Sequence, residues 1–309
     1  MTDAEPIRVV GLTKRFGRKP VLEGLTLAVP RGGTTALLGR NGAGKSTLLG
    51  ILAGLLPRDG GRVEVMGLDP AHRARQVKAR VGYVAEDPGF DPRWRVEHAL
   101  DLTRTIRRGA WDVAEEARLL EVFGLSRTAR IGSLSKGYRA KLALLLALGH
   151  RPEVVLLDEP ASGLDPVVRR EVLASLVDAM HGEERTLLLS SHRIEDVERL
   201  ADRVAFLARG RIVLAGEAEV VRARARRVIV APATGACGDG KLDDLPGRPT
   251  VRRRGHEAVL TYVDGGEEAA ERLRESGRFT EVIGEGMNLE DLFVDLLEEE
   301  TEGVVACGA

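Results

Sequence analysis

The chain has little cysteine, no long apolar run and almost no net charge, and each shortage closes off a class of function. Its two cysteines, Cys237 and Cys307, lie far apart and without metal-ligand spacing. That excludes a disulfide framework and a zinc site, and reduced thiols in the cytosol are the expectation. No stretch reaches the roughly 18–20 apolar residues that a membrane-spanning helix requires. The longest, Leu142 to Leu148, follows basic residues and reads as part of a buried helix. A net charge of -1 supplies no global field toward nucleic acid or an anionic membrane. The opening Met1-Thr2-Asp3-Ala4-Glu5-Pro6 is polar and acidic, not a secretion signal. Neither an internal repeat nor a long coiled coil is visible. Work at a membrane would therefore pass through another chain.

What is present is a globular composition, 43% hydrophobic and 30% charged over 309 residues, which is enough for two domains. Short apolar runs bounded by glycine alternate with helical patterns up to about residue 220. Thr34–Leu38, Val81–Tyr83, Val154–Leu157 and Thr186–Ser190 read as buried strands. Ser46–Ala53, Lys136–Leu148 and Val167–Met180 read as helices, with a helical stretch from Val96 to Phe123 broken near Gly109. Residues 1–220 are thus expected to form an α/β domain with a mainly parallel sheet and a helical subdomain over about 87–150. Residues 221–300 change texture and predict a small α+β domain. Residues 301–309 read as a flexible tail.

Four motifs carry the chemistry. Gly39-Arg40-Asn41-Gly42-Ala43-Gly44-Lys45-Ser46-Thr47 matches G-x-x-x-x-G-K-[ST] in full, with a strand before it and a helix after it. Glycines let backbone N–H groups approach a triphosphate closely, and the helix points its positive end at the phosphates. Lys45 should reach the β- and γ-phosphates, Ser46 should ligate Mg²⁺, and Thr47 should contact the α-phosphate. Val154 to Asp158 ends an apolar strand in a carboxylate, which is costly to bury unless a cation sits beside it. Mg²⁺ would satisfy Asp158. Glu159 is then placed to act as general base on water. The alternative is a strand-end acidic pair that caps a helix. Ser191-His192 follows the strand Thr186–Ser190, and His192 could hold the γ-phosphate and the water beside Glu159. Leu134-Ser135-Lys136-Gly137-Tyr138 opens a helix, with Ser135 as N-cap. On its own it is an ordinary capped helix or an anion site.

The order of these motifs, over roughly Ile7 to Gly216, resembles the nucleotide-binding subunit of an ABC transporter, most closely the ABC-2 exporter branch. The resemblance implies the P-loop ABC ATPase fold, with ATP and Mg²⁺ as cofactors. It implies a dimer of such subunits, homodimeric or heterodimeric, in which Ser135 and Gly137 bind the ATP held by the other subunit. Ser162-Gly163-Leu164-Asp165 is similar to the family's D-loop and would bring Asp165 to the shared site. Phe16 is either the aromatic that stacks on adenine or a core residue. Two positions depart from the pattern. Lys136 and Tyr138 replace Gly and Gln in the signature, and Glu86 stands where a glutamine is expected as a Mg²⁺ contact. Asp87 to Arg95, with Trp94, would form the groove for a membrane permease, or Trp94 is a buried aromatic. Asn288-Leu289-Glu290-Asp291-Leu292-Phe293 is similar to a C-terminal motif of that branch. The implied location is the cytoplasmic face of the cell membrane, held there by a permease. The competing reading is a soluble ABC ATPase acting on ribosome or nucleic acid. Its hints are the basic patches Arg222–Arg227 and Arg252–Arg254, which read equally as solvated faces, and no nucleic-acid partner is expected.

Overall fold

A computed structural model describes residues 5–107, 109–180, 184–197, 200–232, 245–247, 249–254 and 257–297. The chain divides into two compact units, Met1–Val213 and Leu214–Ala309. Cys237, Cys307, His181, His256 and the tail 301–309 lie outside the described residues.

The first unit opens with strands β1 (Ile7–Phe16) and β2 (Lys19–Val29), which pair antiparallel. With β4 (Gly60–Val65) they form a three-stranded sheet in the order β2-β1-β4. The second sheet contains β3 (Thr34–Leu38), β5 (Val81–Val84), β6 (Val154–Asp158), β7 (Thr186–Ser191), β8 (Arg203–Ala208) and β9 (Arg211–Glu217). Its order is β5-β6-β7-β3-β8-β9, and the first five strands run parallel. Strand β6 is buried on both faces, as the continuous run Val154-Val155-Leu156-Leu157 requires. The expected α/β class is therefore the one adopted. In such sheets ligands bind beyond the carboxyl ends of the strands. Here those ends are Leu38, Val84, Asp158 and Ser191.

Helix α1 (Lys45–Leu52) leaves β3 through the glycine-rich loop and packs its Leu48, Leu49 and Ile51 into the core shared by the two sheets. Helix α2 (Pro70–Arg80) has no counterpart among the sequence expectations. Asp69 caps it by accepting from Ala71 N–H at 2.9 Å, and Pro70 sits in its first turn, but only Pro70 and Val77 are buried. A stripe that thin gives no periodic signal. Helices α3 (Val96–Arg107), α4 (Val113–Val122) and α5 (Lys136–Leu148) form the helical subdomain, followed by α6 (Pro166–Met180) and the short α7 (Ile194–Val197). Helix α4 buries two carboxylates completely. Glu116 accepts from Trp111 Nε1 at 2.7 Å and from Arg104 at 2.7 and 2.8 Å, and also pairs with Arg127. Glu115 pairs with Arg118 at 2.8 Å and Arg185 at 3.1 Å. Burial opposes its ionisation, but those two guanidinium groups outweigh it and hold its carboxyl below the ordinary range.

The second unit is an antiparallel sheet in the order β11-β12-β10-β13, from β10 (Arg226–Pro232), β11 (Thr250–Arg254), β12 (Glu257–Tyr262) and β13 (Phe279–Gly286). Val228, Val230, Leu260 and Tyr262 pack against Ala269, Ala270 and Leu273 of α9 (Gly266–Glu275). Strand register places Arg227 opposite Thr261 on the other face. There Asp295 of α10 (Leu289–Leu297) accepts from Arg227 and Thr261, each at 2.8 Å. Strand β11 and helix α8 (Ala218–Arg224) were not expected from the sequence, because their runs are short and rich in arginine.

Candidate active site

The loop from Gly39 to Gly44 takes its shape from glycine. Gly42 has φ 85° and Gly44 has φ 109°, both left-handed, and a Cβ on Gly44 would strike Leu22 and the Val21 carbonyl. Any other residue there would be strained. The turn closes with Ala43 N–H donating to the Arg40 carbonyl at 3.1 Å. Asn41 and Gly42 are exposed at its crest, and the N-terminus of α1 follows with Ser46 exposed and Thr47 half-buried.

Lys45 turns back under this loop. It is buried, and its Nζ donates to the Gly39 carbonyl at 2.7 Å and lies 3.1 Å from Glu159 Oε1. Glu159 Oε2 in turn meets His192 Nδ1 at 2.9 Å. One carboxylate thus joins the phosphate-loop lysine to the histidine that follows β7. Glu159 itself has φ 47°, a left-handed conformation that costs a residue with a side chain about 1–2 kcal/mol. Such strain persists where surrounding contacts fix it.

Asp158 is buried at the end of β6, where its Oδ1 accepts from Ser190 Oγ at 2.7 Å. Tyr83, on neighbouring β5, is half-buried. Burial first, and the Asp158 charge second, push its phenol above its ordinary value. Among the described residues no three acidic, histidine or cysteine side chains converge. A divalent cation beside Asp158 and Ser46 would thus take most of its ligands from phosphate oxygens and water, as Mg²⁺ does.

The remaining expected residues fall into three places. Ser135 is exposed at the start of α5 and caps it, its Oγ accepting from Tyr138 N–H at 3.3 Å. Gly137 is buried against α6, and a Cβ there would collide with Val168, so close packing alone requires glycine. Lys136 reaches Gly163, where an added Cβ would meet its ammonium group. Asp165 caps α6, its Oδ1 accepting from Val167 and Val168 N–H at 3.1 and 3.0 Å. Glu86 is apart from Lys45 and Glu159 in its contacts. It accepts from Ser162 Oγ at 3.3 Å and lines a cavity of about 270 Å³ with Phe90, Lys136 and Arg139. Phe16 is half-exposed rather than a core residue, with Lys14 Nζ 5.4 Å from its ring centre.

Comparison with known proteins accords with this geometry. The sequence model described as "ABC transporter" matches residues 22–162. The daunorubicin resistance ATP-binding protein DrrA2 of Streptomyces coeruleorubidus is 35% identical over 98% of this chain and 98% of its own length. DrrA3 from the same organism is 39% identical over 70% of each chain. A solved structure, "Structure of ATP binding subunit of ABC transporter", superposes with a TM-score of 0.62 at 28% identity, covering 70% of this chain and 92% of the other. The chain belongs to the ABC transporter family. As a member it is an ATP-binding subunit, and its reaction is ATP hydrolysis coupled to transport.

The ABC subunit's other surfaces sharpen the picture. The basic run from Arg222 to Arg227 is neutralised within the second unit. Arg222 pairs with Glu219 at 2.5 Å, Arg224 with Asp264 at 3.2 Å, Arg226 with Glu267 at 2.7 Å and Arg227 with Asp295 at 2.8 Å. Trp94 is 36% exposed, and its ring meets His98 edge-on at 6.5 Å between centroids. No helix among the described residues is long and apolar enough to cross a membrane.

Ser190 also joins the active-site cluster, bonded to Asp158 and to Glu159 N–H, and nothing in the sequence singles it out. In the sequence it is only the last residue of the apolar run Thr186–Ser190. Its partner becomes visible through the pairing of β6 with β7, which sets Asp158 opposite Ser190.

Proposed function

We propose that two such subunits, this chain and a second copy or a close relative, close around two ATP molecules and drive a separate membrane permease that exports a small molecule. The carrying observation is the junction Lys45–Glu159–His192 beside Asp158, at the carboxyl ends of parallel strands. In this reading Gly39 to Gly44 cradle the phosphates through backbone N–H groups, and Lys45 neutralises the β- and γ-phosphates. Ser46 and Asp158 would hold Mg²⁺, with phosphate oxygens and water as its other ligands, while Glu86 is engaged with Ser162. Glu159 removes a proton from water and His192 orients Glu159 through its ring nitrogen. Ser135 and Gly137 open the helix that faces the other subunit's ATP, and Asp165 shapes the segment between the two sites. Phe16 offers a half-exposed ring to adenine. Export is the reading favoured by relatives whose names state it, a fluoroquinolones export ATP-binding protein of Mycobacterium tuberculosis and a Nod factor export ATP-binding protein of Burkholderia orbicola. The permease is read as docking along Asp87–Arg95 beside Trp94, holding the subunit at the cytoplasmic face of the membrane.

The test is the Glu159→Gln variant of the full chain, incubated with ATP and sized in solution. The expected outcome is a stable ATP-bound dimer with hydrolysis slowed about 10²- to 10⁴-fold. A monomer that hydrolyses ATP at the parent rate would overturn the assignment of the base. Purification from native membranes in mild detergent checks the permease, which should appear as a polytopic chain in near-equal amount.

A further inference from the structure

We propose that Ser190 is a positioning residue for the acidic pair, fixing the side chain of Asp158 and the backbone of Glu159 through one hydroxyl group. The inference rests on the reading of Asp158 and Glu159 as the working acids. Ser190 is fully buried on β7, directly opposite Asp158 in the parallel register. Its Oγ donates its proton to Asp158 Oδ1 at 2.7 Å and accepts from Glu159 N–H at 3.0 Å. The directions admit no exchange. An ionised carboxylate can only accept and a backbone N–H can only donate, so the single hydroxyl proton must point to Asp158.

Each half of this bridge has a consequence. Glu159 holds a left-handed backbone at φ 47° with a side chain in place. Such a conformation relaxes unless neighbours over-determine it. The hydrogen bond from Glu159 N–H to Ser190 is one tether; the Glu159 carbonyl, which accepts from Ser162 N–H at 2.9 Å, and the carboxylate contacts with Lys45 and His192 are further ones. The half toward Asp158 engages Oδ1 and restrains the rotation of the carboxylate. A charge-assisted bond of this kind, in a buried site, is stronger than a neutral one.

A purely structural role does not account for the residue. Leu187, Leu188 and Leu189 precede it in the same strand and are buried, and an apolar residue would fill position 190 equally well for the sheet. The neighbouring Ser191 does something different. Its hydroxyl accepts from Arg193 N–H at 2.9 Å and shapes only the turn that carries His192. Two adjacent serines thus have separate tasks, one holding the acids and one the histidine loop.

The experiment compares Ser190→Ala, Ser190→Cys and Ser190→Thr in the full chain. Cysteine keeps nearly the volume but bonds poorly, and threonine keeps the hydroxyl. Steady-state ATPase rates are measured with thermal melts, and a fluorescent ATP analogue is titrated with and without Mg²⁺ in a Glu159→Gln background. Ser190 does not line the phosphate loop, so metal-free affinity should stay at the parent value. The gain in affinity on adding Mg²⁺ should shrink severalfold. The kcat of the Ala and Cys variants should fall about 10- to 100-fold with KM nearly constant, as misplacement of reacting groups predicts. Threonine should restore most of the rate.

A folded Ala or Cys variant with the parent kcat overturns the proposal. So does a loss mirrored in metal-free ATP affinity, or a folded Thr variant no better than Cys. If Ala does not fold, Cys decides on the same readings. Asp158→Asn and Glu159→Gln are measured in parallel. If they hydrolyse ATP at the parent rate, the assignment of the acids fails and the inference about Ser190 falls with it. If they are inactive while Ser190→Cys is not, only the inference about Ser190 fails.

Discussion

The two units use buried polar groups differently. In the first, Asp158, Glu159, Ser190 and Ser191 are buried at the ends of neighbouring strands and Lys45 at the start of α1, and a strained Glu159 backbone sits among them. In the second, the buried polar residues Asp295 and Thr261 serve one ion pair with Arg227, which holds α10 to the sheet. The first arrangement is expensive for stability and makes sense only around a charged ligand. The second is satisfied by its own partners. The polar cluster of the first unit awaits a charged ligand, whereas in the second unit packing and one internal ion pair restrict residue type.

The sharpest way to break this comparison is to remove one carboxylate from each unit without changing its size. Glu159→Gln should lower the ATPase rate by about 10²- to 10⁴-fold, the range for loss of a general base. Asp295→Asn should leave the rate within about twofold, since its partners Arg227 and Thr261 only hold a helix. Steady-state hydrolysis of the two variants reads both. A comparable loss in each would mean that the second unit takes part in catalysis.

Stability reverses part of the contrast, because the first unit also contains a carboxylate with no role in the reaction. Glu116 is completely buried and joins Arg104, Arg127 and Trp111. Its guanidinium partners are partly exposed, so Glu116→Ala should cost less than a fully enclosed ion pair, roughly 2–4 kcal/mol. Asp295→Ala should cost about 1–3 kcal/mol, as one buried acceptor with two donors left behind. Urea unfolding followed by circular dichroism measures each. If Asp295→Ala proves the more damaging, the second unit depends on its polar groups more than its packing indicates.

The same contrast explains what was legible in the sequence. The phosphate loop and helix Lys136–Leu148 could be read because glycine, lysine and a capping serine are demanded at fixed spacings. Helix Pro70–Arg80 could not be read from periodicity, since so few of its residues face the core. The Asp69 cap followed by Pro70 was its one available signal. Gly137 was assigned to phosphate binding, yet Val168 pressing on it is a packing reason that no motif reveals. Ser190 is the clearest case. Its hydroxyl matters only because β6 and β7 lie side by side in one register, and register between distant strands is not written in either strand.

The smallest effect concerns His150, which is buried near the end of β5's packing surface and far from any role in the mechanism derived above. The positive charges of Arg107 and Arg185 act on its ring. Burial first, then the Arg107 charge, depresses its pKa from 6.5 to about 4, and its buried ring nitrogens have no hydrogen-bond partner among the described residues to offset this. The folded value lies below the unfolded one, so on acidification the unfolded chain takes up the proton first. Stability is therefore retained above about pH 6.5, declines as pH falls toward about 4, and levels off below that. Between about pH 7 and 5.5 the loss should be about 1 kcal/mol. His150→Asn should remove that dependence while leaving the parent's other pH effects in place. Thermal melts of both proteins across this range would separate the His150 contribution from that of the carboxylates. Equal slopes would mean that His150 gains a solvent contact that stabilises its charged form, and the burial assigned to it would be wrong.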